Sequence, residues 1–127
     1  FKIGKGRHLI INTELSNGKC EACSIDAPSL NTDEIKNMQS QIPSWSVIED
    51  EDGIKRLVCA FAFKNYEESL RFTNIIANLA EEQDHHPEVI LEWGKVTVSW
   101  WSHKIKGLHQ NDFICAAKTD ELFKSSN

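Results

Sequence analysis

Between residues 54 and 63 the apolar side chains Leu57, Cys59, Phe61 and Phe63 fall at every second position. A period of two puts all four on one side of an extended strand. One side of that strand is then covered and the other left open, as in an antiparallel sheet with a single layer packed against it. The rest of the chain must then supply further strands and the covering layer.

Both are present. Asn31 with Glu34 three residues on forms a capping box, and Leu30 and Ile35 occupy the two positions of a hydrophobic staple. Ile35, Met38 and Ile42 share one helical face, and Pro43 ends the helix. Residues 45–48 form a first strand. The acidic run 49–52 with Gly53 is a solvated turn into the alternating strand 54–63. Asn65 and Glu68 form a second capping box. Phe72, Ile75, Ile76, Leu79 and Ala80 then follow the spacing of a core-facing helix. That pattern stops at residues 81–84, and Pro87 excludes helix at His86.

A hairpin follows, with strands 89–93 and 96–101 joined at Gly94. Val96, Val98 and Trp100 point one way, and Thr97, Ser99, Trp101 and His103 the other. Gly107 breaks the chain before a last helix over residues 110–123. The predicted fold is α+β, in the order α-β-β-α-β-β-α: a four-stranded antiparallel sheet with helices packed on one face.

At 127 residues, with 40% hydrophobic and 26% charged side chains, the chain holds one folded domain with a real core. No apolar run reaches the length of a membrane span. The formal net charge of −5 disfavours a nucleic-acid partner. Residues 1–29 read as an N-terminal extension rich in turns, with a short strand at Leu9, Ile10 and Ile11, and residues 30–127 as the domain. The first residues lack the long apolar stretch of a secretory leader, so a cytoplasmic protein is expected.

The extension carries Cys20 and Cys23 as a C-x-x-C. No second such pair completes a zinc site, and the β-α-β surroundings of a redox-active motif are missing. Cys59 and Cys115 sit among apolar neighbours and read as buried thiols.

Chemistry is concentrated in the histidines. His85 and His86 stand at the C-terminal end of the second helix, where the helix dipole favours a cation, and carboxylates lie close in sequence. A histidine that keeps its proton near neutral pH can deliver it to a leaving hydroxyl, while a second group removes a proton elsewhere. Trp93, Trp100 and Trp101 offer a flat wall for an aromatic heterocycle. A metal site is the other reading, but adjacent histidines point apart on regular backbone and would need an irregular one to share an ion.

The segment Glu81-Glu82-Gln83-Asp84-His85-His86-Pro87-Glu88 resembles the signature of the pterin-4a-carbinolamine dehydratases. Val96-Thr97-Val98 leads to His103, eighteen positions after His85. Gly107-Leu108 follows, and Asp112 lies nine positions after His103. Upstream, residues 43–45 and 61–66 resemble the same family, so the likeness runs over about residues 30–123.

The resemblance implies the α+β fold read above, homodimers or homotetramers, and no metal or organic cofactor. The implied reaction converts 4a-hydroxytetrahydrobiopterin to quinonoid dihydropterin and water, recycling tetrahydrobiopterin for aromatic amino acid hydroxylases. By resemblance, His85, His86 and His103 are catalytic, with His86 and His103 assigned to proton transfer near the 4a-hydroxyl. Glu81, Asp84, Pro87, Trp93, Trp101 and Asp112 surround the substrate. Glu81, one helical turn before His85, is expected to orient it; Asp112 is expected to orient His103 or to cap the last helix.

Two positions depart from the family pattern. Val89 stands where an aromatic residue is frequent, and His109 where Ser or Thr usually caps the last helix. Three other readings remain open: a non-catalytic dimerisation or coactivator-type protein, a metal-assisted hydrolase built on the three histidines, and pterin handling in another pathway such as that of molybdopterin.

Overall fold

A computed structural model describes residues 15–20 and 29–126. The strand expected at residues 9–11, and Cys23, lie outside the described residues. Among the described residues, three helices and four strands follow one another over residues 32–126 in the predicted order: α1 Thr32–Gln39, β1 Ser46–Glu49, β2 Lys55–Ala62, α2 Tyr66–Gln83, β3 Glu88–Glu92, β4 Lys95–Trp100 and α3 Gln110–Ser126. The strands make one antiparallel sheet in the order β1-β2-β4-β3.

The register explains the two faces. Leu57 pairs with Trp100, Cys59 with Val98 and Phe61 with Val96 in β2 and β4, and Val89 with Val98 and Leu91 with Val96 in β3 and β4. These side chains form the covered face and join Phe72, Ile76 and Leu79 of α2 and Phe113, Ala116 and Ala117 of α3 in one core. The opposite face carries Arg56, Val58, Ala60, Thr97 and the exposed Ile48 and Ile90. The four largest fully buried side chains are Trp45, Trp100, Phe72 and Phe113.

The capping box of α1 is present: Glu34 N–H donates to Asn31 Oδ1, and Asn31 N–H to Glu34 Oε1, both at 2.9 Å. The helix ends earlier than Ile42. Residues 40–45 tighten into successive i→i+3 turns, which still deliver Ile42 fully buried. Trp45 does not start β1. Its indole turns inward, and Nε1–H donates to Asp120 Oδ1 at 2.9 Å.

The acidic turn is built on Asp50, whose Oδ1 accepts from the backbone N–H groups of Asp52 and Ile54 while Gly53 takes φ +79°. Asn65 caps α2 by accepting from Glu68 N–H at 2.9 Å, but the Glu68 carboxylate turns outward to Lys64 Nζ at 3.4 Å. The cap is therefore one-sided.

The end of α2 positions everything that follows. Asp84 adopts the left-handed conformation at φ 50°. His85 N–H reaches back to Ala80 O at 3.1 Å, and Asp84 N–H to Glu81 O at 3.3 Å. This is a Schellman ending with Asp84 where glycine is usual. The chain reverses there and enters β3 through Pro87. Because the position is set by its backbone, Asp84→Gly should match or exceed the wild-type melting temperature. Asp84→Val should lose about 1–2 kcal/mol. Thermal denaturation of the pair checks this, and a Val variant as stable as the Gly one would contradict it.

Part of the extension is packed on the domain. Lys118 Nζ donates to Ser16 O at 2.6 Å, and Gly18 lies against Ile114, where a Cβ would stand 3.0 Å from Cδ1. Cys20 N–H donates to Gln83 Oε1 at 3.0 Å, tying the segment to the last residue of α2.

Candidate active site

After the reversal at Asp84 the two histidines part. His85 turns inward and is 8% exposed; His86 turns outward, its side chain 56% exposed. Alternation of this kind is what extended backbone imposes. His85 lies flat on the indole of Trp100, with ring centroids 5.6 Å apart and planes 8° from parallel. Its Nε2 is 2.6 Å from Asp112 Oδ1.

Asp112 is the hub of the buried side. It is fully buried. Its Oδ2 accepts from Ser102 Oγ–H at 2.8 Å and from His109 N–H at 2.9 Å. Three donors thus converge on one carboxylate, from the end of α2, the end of β4 and the start of α3. The last of them is a helix cap. It is completed by Asn111 N–H donating to His109 Nδ1 at 3.1 Å, so the imidazole of His109 does what Ser or Thr does elsewhere. Burial works against a charged His85, but the hydrogen bond and charge of Asp112, helped by Cys20 and Asp84, outweigh it. His85 is held above the ordinary histidine value.

The other two histidines occupy the open rim. His86 Nε2 is 2.7 Å from Glu81 Oε1. His103 Nε2 lies 3.2 Å from the His86 carbonyl oxygen. A carbonyl oxygen only accepts, so this nitrogen of His103 carries a hydrogen and its Nδ1 is the nitrogen left for proton exchange. Glu81 likewise fixes Nε2–H of His86. A Ser102–Gly107 bridge closes the loop that carries His103. The His103 ring packs on Trp101 at 4.4 Å, and Arg56 lies over the same indole at 3.9 Å. Arg56 is held in turn by Asp50 at 3.1 Å and Glu88 at 3.5 Å.

Two exposed imidazoles with Nε2 already engaged, and a third held by a buried carboxylate behind them, suit the paired proton transfers of a dehydration or isomerisation. Among the described residues, no three His, Cys, Asp or Glu side chains come together as metal ligands.

The family model for pterin 4 alpha carbinolamine dehydratase matches residues 28–122. The chain belongs to that family. A protein of Saccharophagus degradans, provisionally named a pterin-4-alpha-carbinolamine dehydratase, is 54% identical over 112 residues, 88% of this chain and 98% of its own length. One of Nitrosococcus oceani with the same provisional name is 55% identical over 111 residues, 87% of this chain and 97% of that one.

Among solved structures, a transcriptional coactivator/pterin dehydratase from Brucella melitensis superposes with a TM-score of 0.68 at 25% identity. The match covers 75% of this chain and 98% of that one. A pterin dehydratase-like protein described as a RuBisCO assembly factor in the alpha-carboxysome shares the fold, with a TM-score of 0.53 at 24% identity over 62% of this chain and 88% of that one.

Against the dehydratase signature, the structure gathers His85, His86, His103, Glu81, Pro87, Trp101 and Asp112 at one end of the sheet. Two pairings differ from expectation. Glu81 bonds His86 rather than His85, because the reversal at Asp84 breaks the helical relation of residues 81 and 85. Asp112 bonds His85 rather than His103, and also serves the cap. Asp84 enters through its backbone. Trp93 is not in the cluster: it sits at the hairpin turn, 68% exposed, at the opposite end of β3 from the histidines. Trp100 is fully buried, a wall for His85 rather than for a substrate. Sequence reasoning did not single out Ser102 or Arg56, since a strand-end Ser and a strand Arg carry no local signal of what they will touch.

Proposed function

We propose that the protein dehydrates 4a-hydroxytetrahydrobiopterin to quinonoid dihydropterin and water by histidine acid–base catalysis. In this reading it recycles tetrahydrobiopterin for aromatic amino acid hydroxylases. The observation that carries the proposal is the pair His86 and His103. Both are exposed, they are one hydrogen bond apart, and each has Nε2 already engaged.

The 4a-hydroxyl is a poor leaving group until it is protonated. A proton delivered by one rim histidine lets the C–O bond break and water depart. A second group takes the proton from a ring N–H, whose electron pair becomes the new C=N bond. His86 and His103 act at the hydroxyl. His85, held by Asp112 through Nε2, acts at the pterin edge or in the second transfer. Trp101, braced by Arg56, presents its indole beside them. The chemistry asks for an acid and a base, and no metal or organic cofactor is invoked. A homodimer or homotetramer is the expected assembly.

The test couples an aromatic amino acid hydroxylase, which releases the carbinolamine, to this protein in the presence of EDTA, and follows decay to quinonoid dihydropterin by absorbance. Decay well above the spontaneous rate is expected. Decay at the spontaneous rate would sink the dehydratase reading and favour the coactivator-type alternative, for which the Brucella melitensis structure's double description is the support. Activity abolished by EDTA would favour the metal-assisted hydrolase.

A further inference from the structure

The proton chemistry leaves one cluster unused. Cys20 Sγ lies 3.3 Å from Cys115 Sγ, although the two residues are 95 positions apart. Cys20 is half-buried and Cys115 fully buried. The contact is held from several sides. The backbone N–H of Cys20 is tied to Gln83, its thiol faces Asn111 O at 3.7 Å, and residues 15–20 are fastened to α3 through Lys118 and Ile114.

We propose that Cys20 and Cys115 form a reversible intramolecular disulfide, made by exchange with a small disulfide such as oxidised glutathione, which locks residues 15–20 onto α3. The two thiols differ in the way exchange requires. Cys20 is held below the ordinary thiol value, first by the hydrogen bond from Cys115 and, against the cost of burial, by the charge of His85. Cys115 is pushed up by the same bond and by burial, and solvent does not reach it.

Cys20 therefore attacks first. Its thiolate displaces one glutathione thiolate and leaves a mixed disulfide. Cys115 then gives up its proton to the released thiolate, and its sulfur displaces the second glutathione from Cys20. Two cysteine thiols are oxidised, one glutathione disulfide is reduced to two thiols, and the reverse exchange restores the open form. Closing the sulfurs to the bond length of about 2.05 Å needs a shift of roughly an ångström. The bond would sit one turn of α3 from Asp112 and cross-link a long loop of chain, which restricts the unfolded state.

The inference is independent of the dehydratase reading. It is tested on the reduced full chain incubated with oxidised glutathione and mapped by non-reducing mass spectrometry. The expected product has lost two hydrogens, contains a peptide joining Cys20 to Cys115, and melts several degrees above the reduced chain. Cys115→Ser should stop at a glutathione adduct on Cys20 with no such rise, and Cys20→Ser should take up no glutathione at Cys115. Cys59, buried and pushed up to about 11, should remain a thiol throughout. A lasting adduct on wild-type Cys20, a peptide joining Cys20 to Cys23, or no reaction would each overturn the proposal.

Discussion

Asp112→Ala is expected to lose about 3–5 kcal/mol of stability, a large share of the roughly 5–15 kcal/mol by which a folded domain is stable. The residue is fully buried and accepts from His85 Nε2, Ser102 Oγ and His109 N at 2.6 to 2.9 Å. Truncation leaves those donors unsatisfied at the junction of three elements, each costing about 1–3 kcal/mol if it finds no water. A fall in Tm of more than about 10 °C should follow.

Asp112→Asn separates charge from shape. It can still accept from Ser102 or from the helix start, but it no longer stabilises a charged His85. His85 has its folded value raised above the unfolded one near 6.5. The pair's electrostatic contribution is therefore complete below about pH 6.5 and declines as pH climbs through the raised folded value. The stability gap between wild type and Asp112→Asn should be widest below about pH 6.5 and narrow as pH rises through the raised folded value of His85. Denaturant unfolding at a series of pH values checks this. A gap that stays constant, or that widens with rising pH, would show that His85 is not the charged partner.

The elements of the fold were legible because their signals are local. The alternation at Leu57, Cys59 and Phe61 and the cap at Asn31 each need only a few neighbouring residues to specify a conformation. The helix and strand ends moved by a few residues where tertiary contacts intervened, as when Trp45 left β1 to reach Asp120. The gathering of the histidines was legible at the level of the motif, since His85, His86 and His103 flank the same hairpin.

Their partners were not legible, and the reason is geometric. Glu81 and His85 are correctly spaced on a continuous helix, but the left-handed residue at Asp84 ends that helix between them and hands Glu81 to His86 instead. Asp112 faces His85 because α3 packs its first turn against the buried side of β4, where Trp100 already lies, whereas His103 belongs to the open side. Neither relation exists until the layers are assembled. The same holds for Cys20: the C-x-x-C announces a thiol, and only the packing of residues 15–20 on α3 supplies its neighbour.

The largest kinetic effects are expected at the rim. His86→Ala and His103→Ala should each lower kcat for carbinolamine dehydration by about 100-fold to 10,000-fold, the usual worth of a positioned acid or base, with KM moving far less. The reasoning rests on which nitrogen each ring has left to use. His103 donates Nε2–H to the His86 carbonyl, and His86 is held through Nε2 by Glu81, so each can pass a proton through Nδ1 without surrendering the bond that orients it. If the two act in sequence on one hydroxyl, the double variant should be hardly slower than the worse single one, because groups that work as a unit are not additive.

Trp101→Ala supplies the contrast. It removes the surface on which both Arg56 and His103 rest, 3.9 and 4.4 Å from its ring. As a wall for the heterocycle it should raise KM, with a smaller fall in kcat from the loosened His103. Steady-state kinetics on the four variants, corrected for spontaneous decay, separates the roles. Were either histidine variant to raise KM alone, that residue would be a binding contact, and the proton at the 4a-hydroxyl would have to come from His85, whose inward position leaves it a narrow edge for the task.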